Sequence, residues 1–207
     1  DELIFFDIEA TKNNLIQLSL IDEFADGCFV PLTVGGGIKS LEDIENLLKV
    51  GADKVCINTS GFKNLDFLKK AIIKYGSQCI VVSIDYKLNK ENKKEVYINS
   101  GNTPTGNILE EYIDKINKIE PGEIILTSID HDGMMMGYDT NTIKKISRNF
   151  DIPIIASGGA GNLNDFYSTI KGTGIKGISA ASIFHFTETT PLDVKRYLNE
   201  KGVKVRL

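Results

Sequence analysis

Short apolar segments alternate with amphipathic segments along almost the whole chain. The apolar segments are continuous rather than alternating with polar residues, which is typical of strands covered on both faces. The segments between them repeat apolar residues three and four positions apart, which predicts helices with one buried stripe. Because strands that alternate with helices form parallel sheets, the pattern predicts an α/β fold.

Seven parallel strands and seven helices follow from this pattern. The strands are predicted at residues 3–8, 31–34, 54–59, 79–85, 123–129, 153–156 and 177–182. The helices are predicted at residues 15–25, 41–50, 65–75, 108–119, 141–150, 163–171 and 192–201. The polar segment 87–94 is predicted to be a loop that leads into an additional strand at residues 95–99. Ser40, with Asp43 following it, predicts a capping box at the start of the second helix.

The second half of the chain repeats a pattern of the first half. Residues 31–44, PLTVGGGIKSLEDI, resemble residues 153–166, PIIASGGAGNLNDF, and a further strand follows each copy. A repeat of this length indicates two similar halves rather than a short-period solenoid. We therefore predict a (β/α)8 TIM barrel in which residues 1–207 are a single domain carrying strands two to eight. In this interpretation the first strand–helix unit is absent from the sequence, and a doubly wound open sheet is the alternative.

Composition and charge narrow the class of protein. The chain has 207 residues, of which 42% are hydrophobic and 25% charged, which is ordinary for a globular domain with a sizeable core. The formal net charge of −4 argues against a nucleic-acid partner, because phosphate contacts need clustered Lys and Arg. Without a long apolar run or a signal peptide, the sequence predicts a cytoplasmic protein with no membrane contact.

The cysteines and histidines do not predict a metal site. Cys28, Cys56 and Cys79 lack the spacing of metal ligands, and His131 and His185 are the only histidines. Cys56 and Cys79 lie in apolar strands, where cysteine acts as a small hydrophobic residue. Structural roles are favoured for both histidines. We therefore expect no metal, no disulfide and no cofactor.

The candidate chemistry lies at the carboxyl ends of the strands, where (β/α)8 barrels build their active sites. Glycine clusters follow two of these ends, at residues 35–37 and 158–161, and backbone N–H groups in such loops bind anions. Tight turns without a ligand would explain one cluster, but two clusters at matching positions favour one ligand with a phosphate at each end. Asp85 ends an apolar strand between them, where an unpartnered acid is costly to bury. A turn cap is the alternative role for Asp85; general acid–base catalysis is favoured.

Eight segments, in order along the chain, resemble the cyclase subunit of imidazole glycerol phosphate synthase. They are the two repeat copies together with GADKVCINTS, GSQCIVVSID, TGNILEEYIDKI, GEIILTSIDHDG, GYD and AASIFHF. The resemblance implies a (β/α)8 barrel, a bisphosphate substrate and a glutaminase partner that delivers ammonia through the barrel. It also implies the reaction, in which ammonia and an imine-containing ribulosyl aminoimidazole carboxamide nucleotide give imidazole glycerol phosphate and an aminoimidazole carboxamide ribonucleotide.

The resemblance also implies roles for individual residues. Asp85 corresponds to one of two catalytic aspartates, and the other belongs to the first strand, outside these 207 residues. The positions implied for one phosphate are Gly37, Asn58 and Thr59, and those at or near the other phosphate are Gly133, Ser157, Gly158, Gly159, Ala181 and Ser182. The positions implied near the rest of the substrate are Asp7, Thr127 and Asp132. The positions implied at the opposite mouth, where ammonia enters, are Glu2, Lys54 and Glu123.

Two alternative functions remain open from the sequence. Residues 7–31 and the three methionines at 134–136 resemble a paralogous group that uses ammonia to make acetamidino sugars for surface polysaccharides. The missing first strand motivates the other alternative, an inactive barrel that only binds the glutaminase. Histidine biosynthesis is the leading hypothesis.

Overall fold

A computed structural model describes residues 2–8, 10 and 16–207, which form a curled β-sheet with helices between its parallel strands. The strands are β1 (Leu3–Phe6), β2 (Leu32–Gly35), β3 (Lys54–Ile57), β4 (Ile80–Leu88), β5 (Lys94–Ile98), β6 (Thr103–Ile108), β7 (Glu123–Ser128), β8 (Ile154–Ser157) and β9 (Gly177–Ile178). The helices are α1 (Leu18–Asp26), α2 (Leu41–Lys49), α3 (Thr59–Lys63), α4 (Leu65–Tyr75), α5 (Leu109–Asn117), α6 (Thr140–Asn149), α7 (Leu163–Thr173), α8 (Ser182–Phe186) and α9 (Pro191–Glu200).

Seven strands are parallel and follow one another in the order β1-β2-β3-β4-β7-β8-β9. A doubly wound sheet needs a point where the strand order reverses, and this order never reverses. The sequential order is that of a (β/α)8 barrel, so the predicted fold class is confirmed. Among the described residues β1 pairs only with β2, and β9 only with β8, so the sheet is open along one side.

Both faces of the parallel strands are buried, which explains the continuous apolar runs. One face of β4 places Val82, Ile84 and Tyr86 in the main hydrophobic core, which the helices also line. The opposite faces of neighbouring strands bring Cys56, Val81 and Ile125 together in a smaller cluster inside the curl. Side chains on a strand point alternately to its two faces. Because both faces are covered by apolar residues, successive residues of each strand are buried and apolar.

The helices begin and end close to the predicted boundaries. Ser40 forms the predicted capping box with Asp43 at the start of α2, and Asn162 forms the matching box with Asp165 at the start of α7. Each box satisfies two backbone donors at a helix N-terminus. In both halves of the chain, a capping box therefore begins the helix that follows the glycine cluster. The predicted helix at 15–25 begins at Leu18 within the described residues, and its first predicted residue lies outside them.

The structure corrects three predicted elements. Segment 87–94 is a loop only at residues 89–93, because β4 continues to Leu88 and forms an antiparallel hairpin with β5, which begins at Lys94 and which β6 extends. The polar residues that hid this hairpin face each other across it, as Lys87 does with Glu95. Strands predicted to end at residues 59 and 182 stop earlier, because the short helices α3 and α8 begin there.

None of the helices within the described residues has the length and apolar character needed to cross a membrane.

Candidate active site

The carboxyl ends of the parallel strands open into a cavity of about 1730 Å³ that continues through the interior of the curled sheet. Every residue that the family resemblance implies for this mouth lines the cavity. These residues are Asp7, Gly37, Asn58, Thr59, Asp85, Thr127, Asp132, Gly133, Ser157, Gly158, Gly159, Ala181 and Ser182. The topology therefore brings together residues from seven strand ends that lie far apart in sequence.

Asp85 lies on the cavity-facing side of β4 and is held by two neighbours. The Asn58 side-chain amide donates to Oδ2 of Asp85 at 2.9 Å, and the Ser83 hydroxyl donates to Oδ1 at 3.3 Å. Thr127 on β7 stands level with Asp85 in the sheet register. The carboxyl group is thus fixed in orientation while one side of it faces the cavity.

Burial raises the pKa of Asp85 to about 6, because the ionised form loses hydration in the cavity wall. The hydrogen bonds from Ser83 and Asn58 favour the ionised form and limit this rise, whereas the negative charge of Asp132 adds to it. A carboxyl group with a pKa near 6 exchanges protons in both directions close to neutral pH. This is the property that general acid–base catalysis requires.

The first glycine loop packs tightly against the end of β1. Gly36 has a φ of +112°, and a Cβ atom there would overlap the carbonyl oxygen of Asp7. Asp7 in turn accepts a hydrogen bond from the Ala10 backbone at 2.9 Å. The loop therefore depends on glycine, both for its backbone conformation and for its close approach to the neighbouring strand.

Thr59 links this loop region to the hairpin. Its hydroxyl oxygen accepts from the Asn99 backbone N–H at 3.0 Å, which leaves the hydroxyl proton available for a ligand. Lys39 and Lys63 also line the cavity, near Thr59 and the first glycine loop in the sequence. An anion here would have hydroxyl, backbone and ammonium groups as neighbours.

The second glycine loop repeats the arrangement on the other half. Gly158 and Gly159 have φ values of +87° and +117°, and a Cβ atom at Gly159 would overlap the carbonyl of Gly137. The Gly137 backbone N–H donates to the Gly159 carbonyl at 2.7 Å. Asp165 accepts from the Gly161 backbone at 2.9 Å and so fixes the loop to α7. The internal repeat of the sequence is thus an internal repeat of structure.

The hairpin tip at residues 99–102 is a part of the cavity wall that the sequence analysis missed. Asn99, Ser100 and Gly101 have φ values of 55°, 56° and 74° in succession. Three consecutive left-handed residues make a tight turn, and the run Asn-Ser-Gly-Asn is a recognisable turn signal. The signal was present, but without the hairpin there was no reason to place it at the cavity.

The opposite mouth of the sheet carries a three-residue charge cluster. The Lys54 ammonium lies 2.7 Å from Glu2 Oε2 and 2.8 Å from Glu123 Oε1. Burial disfavours the charged ammonium, but hydrogen bonds to the two carboxylates outweigh it and raise the pKa of Lys54. The second oxygen of Glu123 is buried and has no hydrogen-bond partner within the described part of the chain. The three residues predicted for this mouth do lie together.

Residues predicted to be structural take no part in the cavity. His131 Nδ1 shares a 2.8 Å hydrogen bond with the hydroxyl of buried Ser128, and His185 is exposed at α8. Met135 packs against the core, while Met134 and Met136 are exposed. None of these side chains lines the cavity between the glycine loops.

Comparison with known proteins assigns the family. The family model described as "Histidine biosynthesis protein" matches residues 1–190. A relative from Natranaerobius thermophilus, named imidazole glycerol phosphate synthase subunit HisF, is 45% identical over 208 residues, covering 100% of this chain and 82% of the relative. Relatives of the same name from Dictyoglomus thermophilum and Leptospira biflexa are 46% and 47% identical, with the same 100% and 82% coverage.

These matches cover both glycine loops, the strand that carries Asp85, and the Lys54 charge cluster at the opposite mouth. All the relatives compared carry the HisF subunit name, which favours histidine biosynthesis over the amidinosugar alternative. The chain, with its sequential (β/α)-barrel strand order and its repeated glycine loops, belongs to the histidine biosynthesis protein family.

Proposed function

We propose that this chain forms the active site of an ammonia-dependent cyclase that makes imidazole glycerol phosphate and an aminoimidazole carboxamide ribonucleotide from a bisphosphate nucleotide. The observation that carries the proposal is the position of Asp85, a carboxyl group of raised pKa in a cavity flanked by two glycine loops. The HisF name of the relatives supplies the reaction class.

The two loops suit the two ends of a bisphosphate. Free backbone N–H groups and hydroxyls bind phosphate oxygens, and glycine lets the backbone approach them closely. Gly37 and Thr59 serve one end of the ligand, and Ser157 and Gly158 serve the other. The middle of the ligand then lies against Asp85.

Asp85 moves protons at the reacting carbon. Addition of ammonia to the ribulosyl carbonyl and loss of water need a proton removed from nitrogen and a proton given to the leaving oxygen. One carboxyl group can accept the first proton and donate it in the second step, provided that its pKa lies near the working pH. Asp85 is the carboxyl group of raised pKa that the described residues place between the two glycine loops.

A glutaminase subunit is the proposed partner and the source of ammonia, because the relatives are named as subunits of a synthase. The Lys54 cluster at the lower mouth suits a gate, since an ion pair can open and close without disturbing the apolar layer above it. That layer consists of Cys56, Val81 and Ile125. Neutral ammonia crosses an apolar layer more readily than an ammonium ion does.

An assay with ammonium salts tests the proposed reaction. The protein that carries these residues should convert the ribulosyl bisphosphate nucleotide in the presence of ammonia alone, measured as release of the carboxamide ribonucleotide. Binding of the glutaminase without any ammonia-dependent turnover would instead favour the inactive-barrel alternative. Turnover of a nucleotide-linked sugar in place of the bisphosphate would favour the amidinosugar alternative.

We expect two anions per chain in crystals grown or soaked in phosphate. One should lie against Gly37 and Thr59, and the other against Ser157 and Gly158, because both glycine loops line the cavity and such loops bind anions through backbone N–H groups. Electron density at both places, with two phosphates per chain in titration calorimetry, would support the bisphosphate. Occupancy of neither loop at high phosphate would contradict it.

Replacing Lys54 by alanine should uncouple the gate from the chemistry. We expect glutamine-dependent turnover to fall about tenfold or more, because the Glu2 and Glu123 carboxylates lose the cation between them and repel each other. Turnover with free ammonium salts should stay within about twofold of the parent, since Asp85 and both glycine loops are untouched. Both rates are measured on the same glutaminase complex.

Lys69→Ala is the matched control for that experiment. Lys69 lies on α4, is exposed, and within the described part of the chain its ion pair is with Asp66, 3.5 Å away on its own helix. Its loss removes the same charge without touching the lower mouth. Equal effects of the two substitutions, or an equal loss of both activities in Lys54→Ala, would remove the gate assignment.

A further inference from the structure

The inward faces of β3 and β4 carry a row of polar side chains in an otherwise apolar interior. Cys56 and Asn58 project to the same face because they are two positions apart, and so do Ser83 and Asp85. The register pairs Cys56 with Val81 and Ile57 with Val82, so Asn58 stands level with Ser83. The four polar side chains therefore lie beside one another, with Asp85 at the cavity end.

Ser83 is the residue of this row that contacts Asp85 along β4. Its hydroxyl donates to Asp85 Oδ1 at 3.3 Å. A serine hydroxyl has one proton and two lone pairs. Its one proton is therefore used on Asp85.

Cys56 stays neutral beside this pair. Burial raises the pKa of the Cys56 thiol, and the negative charges of Asp85 and Glu123 raise it further. The thiol therefore keeps its proton and adds no negative charge near Asp85.

We propose that Ser83 is a positioning residue for the reaction, which holds Oδ1 of Asp85 and sets the pH at which that carboxylate accepts a proton. The inference deepens the proposed function and rests on the acid–base role of Asp85. Asn58 holds the other oxygen at 2.9 Å, so the two donors together leave the carboxylate one orientation. Ser83 itself stays one layer below the reacting atoms and acts through Asp85.

The other groups near Asp85 do not lower its pKa as the Ser83 hydrogen bond does. Asp132, which follows β7, repels the ionised form of Asp85. Tyr97 stands opposite Asp85 on β5, and Thr127 stands level with it on β7. Ser83 and Asn58 are the groups that lower the pKa of Asp85 by hydrogen bonding, so removing either must raise it.

Ser83→Ala tests the inference through the pH dependence of kcat/KM, measured at a constant concentration of free ammonia. We expect the acidic limb to move up by about half to one pH unit, because the ionised carboxylate loses a hydrogen bond. The rate should then be about two- to fivefold lower at pH 6 and nearly unchanged at pH 8. Ser83→Thr, which keeps the hydroxyl, should restore the parent profile.

A direct titration separates this inference from the proposed function. The 13C signal of the Asp85 carboxyl, assigned by its loss in Asp85→Asn, should titrate at higher pH in Ser83→Ala than in the parent. An unchanged titration would overturn the inference, whatever the activity. A shifted titration with an unshifted kcat/KM profile would also overturn it, and would show that Asp85 is not the group that limits the reaction.

Ser128→Ala is the matched control. Ser128 is also buried near the end of a strand, but its hydroxyl pairs with His131 and it does not line the cavity. Its loss should move neither the Asp85 titration nor the acidic limb. A shift of the same size in this variant would show that any buried serine produces the effect, which would overturn the assignment to Ser83.

Discussion

Asp85→Asn is expected to lower the ammonia-dependent turnover by about 10²–10⁴-fold, the usual range for loss of a general acid–base group. The amide has the same shape and can still accept the hydrogen bond from Asn58, but it cannot exchange a proton. The two glycine loops are untouched, so the KM for the bisphosphate should change by only a few-fold. Steady-state kinetics with ammonium salts measure both constants.

A second readout distinguishes loss of chemistry from loss of folding. Burial raises the pKa of Asp85 to about 6, whereas an aspartate in the unfolded chain titrates near the ordinary value of about 4. Above pH 6 the folded protein must therefore hold a charge that the unfolded chain carries more easily, so this residue destabilises the fold there. Asp85→Asn should raise the free energy of unfolding at pH 7 by up to about 3 kcal/mol, and the gain should vanish below pH 4, where both states become protonated.

Asp130→Asn is the matched control for both readouts. Asp130 lies at the same edge of the sheet, accepts a hydrogen bond from the Leu88 backbone at 2.9 Å and does not line the cavity. Its substitution should leave turnover within about twofold of the parent. Turnover of Asp85→Asn within a few-fold of the parent, with ammonia supplied directly, would remove Asp85 from the mechanism.

The parallel sheet was predictable because its physical cause lies in single segments. A strand buried on both faces needs an unbroken apolar run, and β4, β7 and β8 each supply one. The additional strand predicted at residues 95–99 corresponds to β5, but the extension of β4 to Leu88 and the strand β6 were not predictable in the same way, because polar residues such as Lys87 interrupt the apolar pattern. These strands form by pairing across β5, which no single segment reveals.

The candidate site also has one part that the sequence predicts and another that only the structure shows. Glycine clusters are visible in sequence because a left-handed φ and a close backbone approach leave no alternative residue, as at Gly36 and Gly159. The row that holds Asp85 is not visible, because it depends on the register between β3 and β4 and on which way one hydroxyl points. Ser83 lies two positions before Asp85, so strand periodicity could have placed it on the same face, but not assigned its partner.

Gly159→Ala is expected to disable the second anion site. The residue has a φ of +117°, and an alanine Cβ would overlap the Gly137 carbonyl and crowd His131 Cβ, 3.2 Å away. The loop must therefore move, which should lower the free energy of unfolding by about 1–3 kcal/mol. It should also raise the KM for the bisphosphate about tenfold or more, because charge-assisted hydrogen bonds to one phosphate are lost.

Gly202→Ala separates the cost of backbone strain from the loss of binding. Gly202 also has a positive φ, +74°, but no atom lies within 4 Å of the position that its Cβ would take, and it does not line the cavity. Its substitution should cost about 1 kcal/mol of stability and leave the KM unchanged. In calorimetry, parent and Gly202→Ala should each bind two phosphates, and Gly159→Ala should bind one. Two phosphates bound to Gly159→Ala with parental affinity would mean that this loop is a tight turn and not an anion site.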